Sequence, residues 1–187
     1  SHHSPPKNMY SNEIFIESLN ELINLNLSFE AWQYHHQINQ VTKMAETQPD
    51  LKIVLNHFSG PIGIGPYASK KDEIFEIWKK DITQLAKHTN VYAKLGGLAM
   101  PINGYEFHKQ KLPPSSNQIV NSQRRYYDYL ISCFGPERCM FESNFPVDKQ
   151  SASYNIIWNA FKKMSSGHTN SDKDLMFFNT AESFYKL

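Results

Sequence analysis

The sequence predicts an α/β fold built on a parallel sheet. Three observations carry this. Short apolar runs alternate with longer stretches of helical periodicity. The runs are nearly continuous, as in a sheet covered on both faces. Each also ends abruptly in polar residues or glycine, at the strand end where a parallel barrel does its chemistry.

Taken in order, residues 12–25 predict an amphipathic helix, with Ile14, Ile16, Leu19, Leu22, Ile23 and Leu25 at near-helical spacing. A strand over residues 29–34 runs into His35-His36-Gln37. Residues 37–47 read as a helix with Ile38, Val41 and Ala45 inward, stopped by Pro49. The run 52–56 is a buried strand leading to His57 and then Gly60-Pro61. After a Gly/Pro-rich loop, residues 71–88 form a helix burying Ile74, Ile77, Trp78, Ile82 and Leu85. The strand 91–95 ends in Gly96-Gly97.

A long polar loop over 99–116 follows, of a length that marks a functional or mobile segment. A helix over 117–134 is stopped by Gly135-Pro136. The strand 139–141 delivers Glu142-Ser143-Asn144 and breaks at Pro146. A helix over 153–164 and a closing helix over 171–185, N-capped by Ser171 with Asp174 three residues on, complete the order.

The chain of 187 residues suits one domain, residues 1–187, and the formal net charge of +1 gives no electrostatic case for nucleic acid or a membrane surface. No apolar run approaches the roughly 18 residues a membrane span needs, and no signal-peptide pattern opens the chain. The start, Ser1-His2-His3-Ser4-Pro5-Pro6, has the look of a tag scar but too few histidines for one. Cys133 and Cys139 fall on a predicted helix and strand and read as buried thiols of a reducing, cytoplasmic compartment. Gly60-x-x-Gly63-x-Gly65 has the wrong order for a dinucleotide loop, and no Gly-x-Ser-x-Gly elbow occurs.

The candidate residues lie at the strand ends. His35 and His57 directly follow strands and are expected to meet at one end of the sheet. Lys94 lies inside a strand, where an unpaired lysine is costly; it is expected either to be an ordinary strand residue or to reach a wet barrel mouth and bind a substrate carboxylate. His36, His88, His108 and His168 read as loop or surface residues, and Trp32, Trp78, Trp158 and the tyrosines at 126, 127 and 129 as core and interface packing.

Four segments together resemble a known family: residues 27–37 (LSFEAWQYHHQ), 53–63 (IVLNHFSGPIG), 90–97 (NVYAKLGG) and 134–148 (FGPERCMFESNFPVD). The chain resembles the amidohydrolase-related family of barrel hydrolases, in the branch of 2-pyrone-4,6-dicarboxylate hydrolase and L-fuconolactonase. The resemblance implies a (β/α)₈ barrel of TIM type, of which these strands look like strands five to eight, the C-terminal half. His35 and His57 then match the strand-five and strand-six histidines. Asn144 matches a strand-eight position where many relatives carry an aspartate that ligates metal or takes a proton from water.

Two departures stand out. The strand-one His-x-His pair of relatives has no counterpart, since His2-His3 are adjacent and in no strand. Asn144 is a neutral amide, a poor zinc ligand and no base, which leaves Asp148 as the best carboxylate. The expected function is hydrolysis of a lactone-type cyclic ester or amide. His57, Asp148 and Asn144 would be catalytic, and His35, Lys94 and Ser143 would bind substrate. His35 and His57 would be the ligands if a divalent metal such as zinc binds, while Asn144 suits metal-independent hydrolysis. A metal-dependent decarboxylase of the same superfamily and a non-catalytic half-barrel assembly unit are the alternatives. The expected partners are a small-molecule substrate, and either a second copy or a missing N-terminal half to cover two open sheet edges.

Overall fold

The structure is a computed structural model that describes residues 9–187; the His2-His3 pair and the flanking prolines lie outside the described residues. Four parallel strands form one sheet in sequence order: β1 Ser28–Ala31, β2 Lys52–Leu55, β3 Val91–Leu95 and β4 Cys139–Phe141. Ala31 lies opposite Leu55, Leu55 opposite Ala93, and Leu95 opposite Phe141. The main helices are α1 Glu13–Asn24, α2 Ile38–Thr47, α3 Lys71–Leu85, α4 Ser116–Phe134 and α5 Tyr154–Met164. A short helix α6 (Asn170–Asp174), a π-helical turn (Leu175–Asn179) and α7 (Thr180–Tyr185) follow. The alternation of strand and helix is the one the sequence predicts. None of the described helices is long and apolar enough to cross a membrane.

Side chains alternate across each strand, so the sheet has two apolar faces. One row, including Ala31, Ile53, Leu55, Ala93, Leu95 and Phe141, packs into the main core with Ile38, Trp78, Leu130 and Phe161 of the crossover helices. The other row, Val54, Tyr92 and Met140, meets Phe184 and Tyr185 of α7. Burying a side chain the size of Phe184 contributes roughly 1.5–3 kcal/mol. Two-sided cover is why the strand segments read as continuous apolar runs.

Several boundaries move. β1 stops at Ala31 rather than at residue 34, and α3 stops at Leu85 rather than His88. The closing helix starts earlier and is capped by Thr169, not Ser171. Thr169 Oγ1 accepts from the Asp172 N–H at 3.1 Å, and Asp172 Oδ2 accepts from the Thr169 N–H at 3.2 Å. Both Thr169/Asp172 and Ser171/Asp174 have capping-box spacing; the turn Ser165–Gly167 leaves Thr169 extended (φ −63°, ψ 164°), so the earlier pair takes the role. The helix is then interrupted by the π turn, where Phe177 stacks on Phe141 at 4.4 Å. Cys139 is buried as expected, whereas Cys133 is half-buried; both are free thiols.

Arg138 ties the frame together. Its guanidinium donates to the carbonyls of Phe134, His88, Val91 and Ala86, at 3.0, 3.0, 3.3 and 3.0 Å. These include carbonyls at and just past the ends of α3 and α4, which lack intrahelical donors. Arg138→Met is expected to lower the unfolding free energy by about 2–3 kcal/mol in urea titrations. Arg138→Lys should restore only part of this, because an ammonium lacks the planar fork.

A candidate active site at the strand ends

His57 follows β2 by two residues and opens a left-handed turn. The φ angles of His57, Phe58 and Ser59 are 52°, 57° and 54°, and Gly60 has 40°. Such a conformation costs non-glycine residues of order 1–3 kcal/mol each unless the surroundings hold it. Here they do. The Trp78 indole N–H donates to the Phe58 carbonyl at 2.7 Å, and Gln33 Nε2 donates to Ser59 Oγ at 2.6 Å, both in the interior. The Phe58 ring is fully buried, 4.7 Å from the ring of Tyr127.

The turn brings His57 to the end of β4. Its Nδ1 lies 2.8 Å from Glu142 Oε1, with the two side chains 17% and 23% exposed. The approach is close but off the hydrogen-bond direction, so the contact is electrostatic and strengthens when the imidazole is protonated. The rings of Trp32 and His57 meet edge to face, with centroids 4.8 Å apart. Gly96 and Gly97 pass beside the pair. A Cβ on Gly97, whose φ is 84°, would collide with the His57 ring, and one on Gly96 with the Glu142 backbone.

From Glu142 the contacts continue along one segment. Glu142 Oε2 accepts from the Asn144 N–H at 2.7 Å, and Asn144 Nδ2 donates to Asp148 Oδ1 at 2.9 Å. Asn144 sits at φ 52°, a region asparagine enters more readily than most residues. Asp148 is 2% exposed. Burial pushes its carboxyl up to about 7. The hydrogen bond from Asn144 opposes this, the charge of Glu142 adds to it, and His57 and the Ala99 backbone oppose it more weakly. A buried carboxyl that changes charge near neutrality thus sits at the end of a chain of contacts beginning at an accessible histidine.

The structure therefore joins His57, Asn144 and Asp148 through Glu142. Ser143 lies in the same segment, and its Oγ accepts from the Phe145 N–H at 3.3 Å. His35 stands apart. Its ring is 3% exposed, and Nδ1 accepts from the Ile62 N–H at 3.3 Å. Burial first, and then His36, lower its pKa to about 4, against a hydrogen bond to the Gly60 backbone. Both histidines follow parallel strands on the same end of the sheet, yet the His35 ring meets His36 and Tyr67 while that of His57 meets Trp32. His35 thereby holds the 60–62 loop. Lys94 is paired within the fold: its Nζ lies 2.7 Å from Glu30 Oε2, and the Tyr185 hydroxyl donates to the other oxygen of Glu30.

Two residues of the cluster escape a reading of the sequence. Glu142 carries a usable signal, a carboxylate one residue past an apolar strand and on the opposite side from Phe141. Its partner is not visible without the fold. Trp32, expected in packing, is 42% exposed and walls the His57 ring. Among the described residues no three His, Cys, Asp or Glu side chains converge. His57 and Glu142 provide two donors where zinc sites use three or four.

The Amidohydrolase family model matches residues 5–187, and the chain belongs to that family. It is 34% identical over 171 residues to the uncharacterized protein y4mH of Sinorhizobium fredii, covering 91% of this chain and 51% of that protein. It is 27% identical over 130 residues to an L-rhamnono-gamma-lactonase of Scheffersomyces stipitis, covering 67% of this chain and 35% of that one. An amidohydrolase of Burkholderia multivorans solved with bound HEPES has the same fold, with a TM-score of 0.85 at 18% identity, covering 100% of this chain and 62% of that one. The chain thus spans about half the length, or less, of the curated relatives it matches.

The raised Asp148 carboxyl sets a sign for stability. Its folded-state value lies above the unfolded one, so its contribution is full below the unfolded pKa of about 3.9 and is lost as pH rises through about 7. From this group alone, the unfolding free energy should fall by about 2 kcal/mol between pH 5.5 and pH 8. Asp148→Asn should remove that decline in urea titrations at the two pH values. The lowered His35 acts oppositely: its contribution is present above about 6.5 and is lost as pH falls towards 4.

Proposed function

We propose that this chain carries the catalytic cluster of a hydrolase that opens a lactone-type cyclic ester by attack of water. The observation that carries the reading is the His57–Glu142 pair, extended through Asn144 to a buried carboxyl that titrates near pH 7. Membership of the amidohydrolase family supports hydrolysis, and likeness to a protein named as a lactonase supports the cyclic ester.

On this reading the carboxylate of Glu142 favours the tautomer with its proton on Nδ1 and leaves the Nε2 lone pair of His57 free. Nε2 takes a proton from water as the water oxygen bonds to the lactone carbonyl carbon. Glu142 stabilises the imidazolium that forms. The ring C–O bond then breaks, and its oxygen leaves with the proton from Nε2, so that ester and water become a hydroxy acid. Asn144, a neutral amide, takes no proton; it fixes Glu142 through its backbone N–H and Asp148 through its side chain. Asp148 is too enclosed to touch water and acts on the pair through Asn144 and its own charge, as a positioning residue rather than the attacking base. The exposed face of Trp32 supplies an apolar wall for the ring of the substrate.

The test is pH-stat hydrolysis of a panel of γ-lactones by the whole protein. His57→Gln should lower kcat about 10³-fold and Glu142→Gln about 10²-fold, with far-UV circular dichroism unchanged. Asp148→Asn should shift the pH profile while leaving substantial activity. Equal rates for the parent and His57→Gln would overturn the assignment.

A further inference from the structure

We propose that Tyr185, through Glu30, holds the Lys94 ammonium away from Glu142 and so keeps that carboxylate for His57. The last helix of the chain thereby governs the cluster, with Tyr185 and Glu30 as positioning residues.

The strand register puts both carboxylates and the ammonium on one face of the sheet. Glu30 lies opposite Val54, Val54 opposite Tyr92, and Lys94 opposite Met140. Val54, Tyr92 and Met140 form the row under α7. Lys94 follows Tyr92 by two residues and Glu142 follows Met140 by two, so both share that face. The Glu142 N–H still donates to the Leu95 carbonyl at 3.3 Å, which carries the ladder up to Glu142. Lys94 is therefore one strand from Glu142 and two strands from Glu30. On an unbent sheet the Cα separations are roughly 8 Å and roughly 12 Å. Glu142 is the nearer carboxylate, yet Lys94 Nζ lies 2.7 Å from Glu30 Oε2.

Contacts on both sides account for this choice. His57 Nδ1 already occupies Glu142 Oε1 at 2.8 Å. On the other side, the Tyr185 hydroxyl donates to Glu30 Oε1 and leaves the second oxygen to Lys94. The ammonium also lies over the Tyr185 ring, 5.7 Å from its centroid. Burial first, then the bond to Glu30, then the charges of Glu30 and Glu142 push the Tyr185 hydroxyl up, so it stays a donor. A helix as short as α7 does not hold itself together, and Phe184 seats it on Tyr92 with ring centroids 4.6 Å apart. Released from Glu30, Lys94 turns to Glu142. An ammonium there neutralises the carboxylate and repels the imidazolium that the pair stabilises.

The bearing on catalysis rests on the proposed lactone opening; the pairing itself does not. The His57 ring is therefore followed by NMR across neutral pH in the whole protein, its signal identified by its loss in His57→Gln. Glu30→Gln should lower the proton affinity of His57 about threefold, and Tyr185→Phe should lower it by less. Lys94→Gln should change it little in the parent but restore the parent value in the Glu30→Gln protein. Loss of distant charges alone would instead give equal and opposite effects that add. All three side chains are half-buried at the sheet face, and far-UV circular dichroism checks that each variant folds. The proposal is overturned if the effects of Glu30→Gln and Lys94→Gln add, or if Glu30→Gln or Tyr185→Phe titrates as the parent does. Turnover of γ-lactones separates the two readings. A parent inactive on every lactone sinks the proposed function, while the NMR comparison still decides this one. In an active parent, Glu30→Gln should lower kcat about threefold with KM little changed.

Discussion

The left-handed turn at 57–60 is the constraint on which the site depends. Three consecutive non-glycine residues at positive φ do not hold that shape alone, and two interior hydrogen bonds hold it for them. One comes from the indole of α3, the other from Gln33 just after β1. The direction of the His57 ring is therefore a property of the core. Trp78 and Gln33 bond the two residues that follow His57 and thereby set where the imidazole stands. The glycines at 96 and 97 are the complementary condition, since the space the turn delivers His57 into exists only without a Cβ there.

Asn144 takes a different meaning in this setting. Read against relatives, an amide in place of an aspartate looks like a lost base. In the fold it stands between two carboxyls, donating to Glu142 from its backbone and to Asp148 from its side chain. A carboxylate at 144 could not donate to Asp148 and would add a third negative charge to the cluster. The amide lets the two acids lie near each other, and the burial of Asp148 then places its titration near neutrality.

Much of the frame was legible. β3 and β4 fall on residues 91–95 and 139–141 as the apolar runs indicate, and α2, α4 and α5 lie within a residue or so of their periodic stretches. The strand ends are where His57, Glu142, Asn144 and Asp148 come together. The partnerships were not legible, because they join distant segments. Nothing near Lys94 in the chain announces Glu30, since the pair forms across the sheet. Nothing at 57–59 announces positive φ, because no glycine marks the first three positions of the turn. His35 and His57 have the same local pattern, a histidine past a strand. What separates them is burial: His35 is enclosed and held by loop backbone, while His57 keeps a solvent-facing edge.

The cover that α7 gives the second face of the sheet has a consequence for synthesis. Val54, Tyr92 and Met140 are translated well before Phe184 and Tyr185, the residues that shield them. While the chain is still on the ribosome, the four strands can assemble against their crossover helices, but that face stays bare until residues 180–185 emerge. The interval leaves an apolar surface open to chaperones and to neighbouring nascent chains. Slow decoding of the codons between β4 and α7 would lengthen it, so the yield of folded protein depends on translation speed over that stretch.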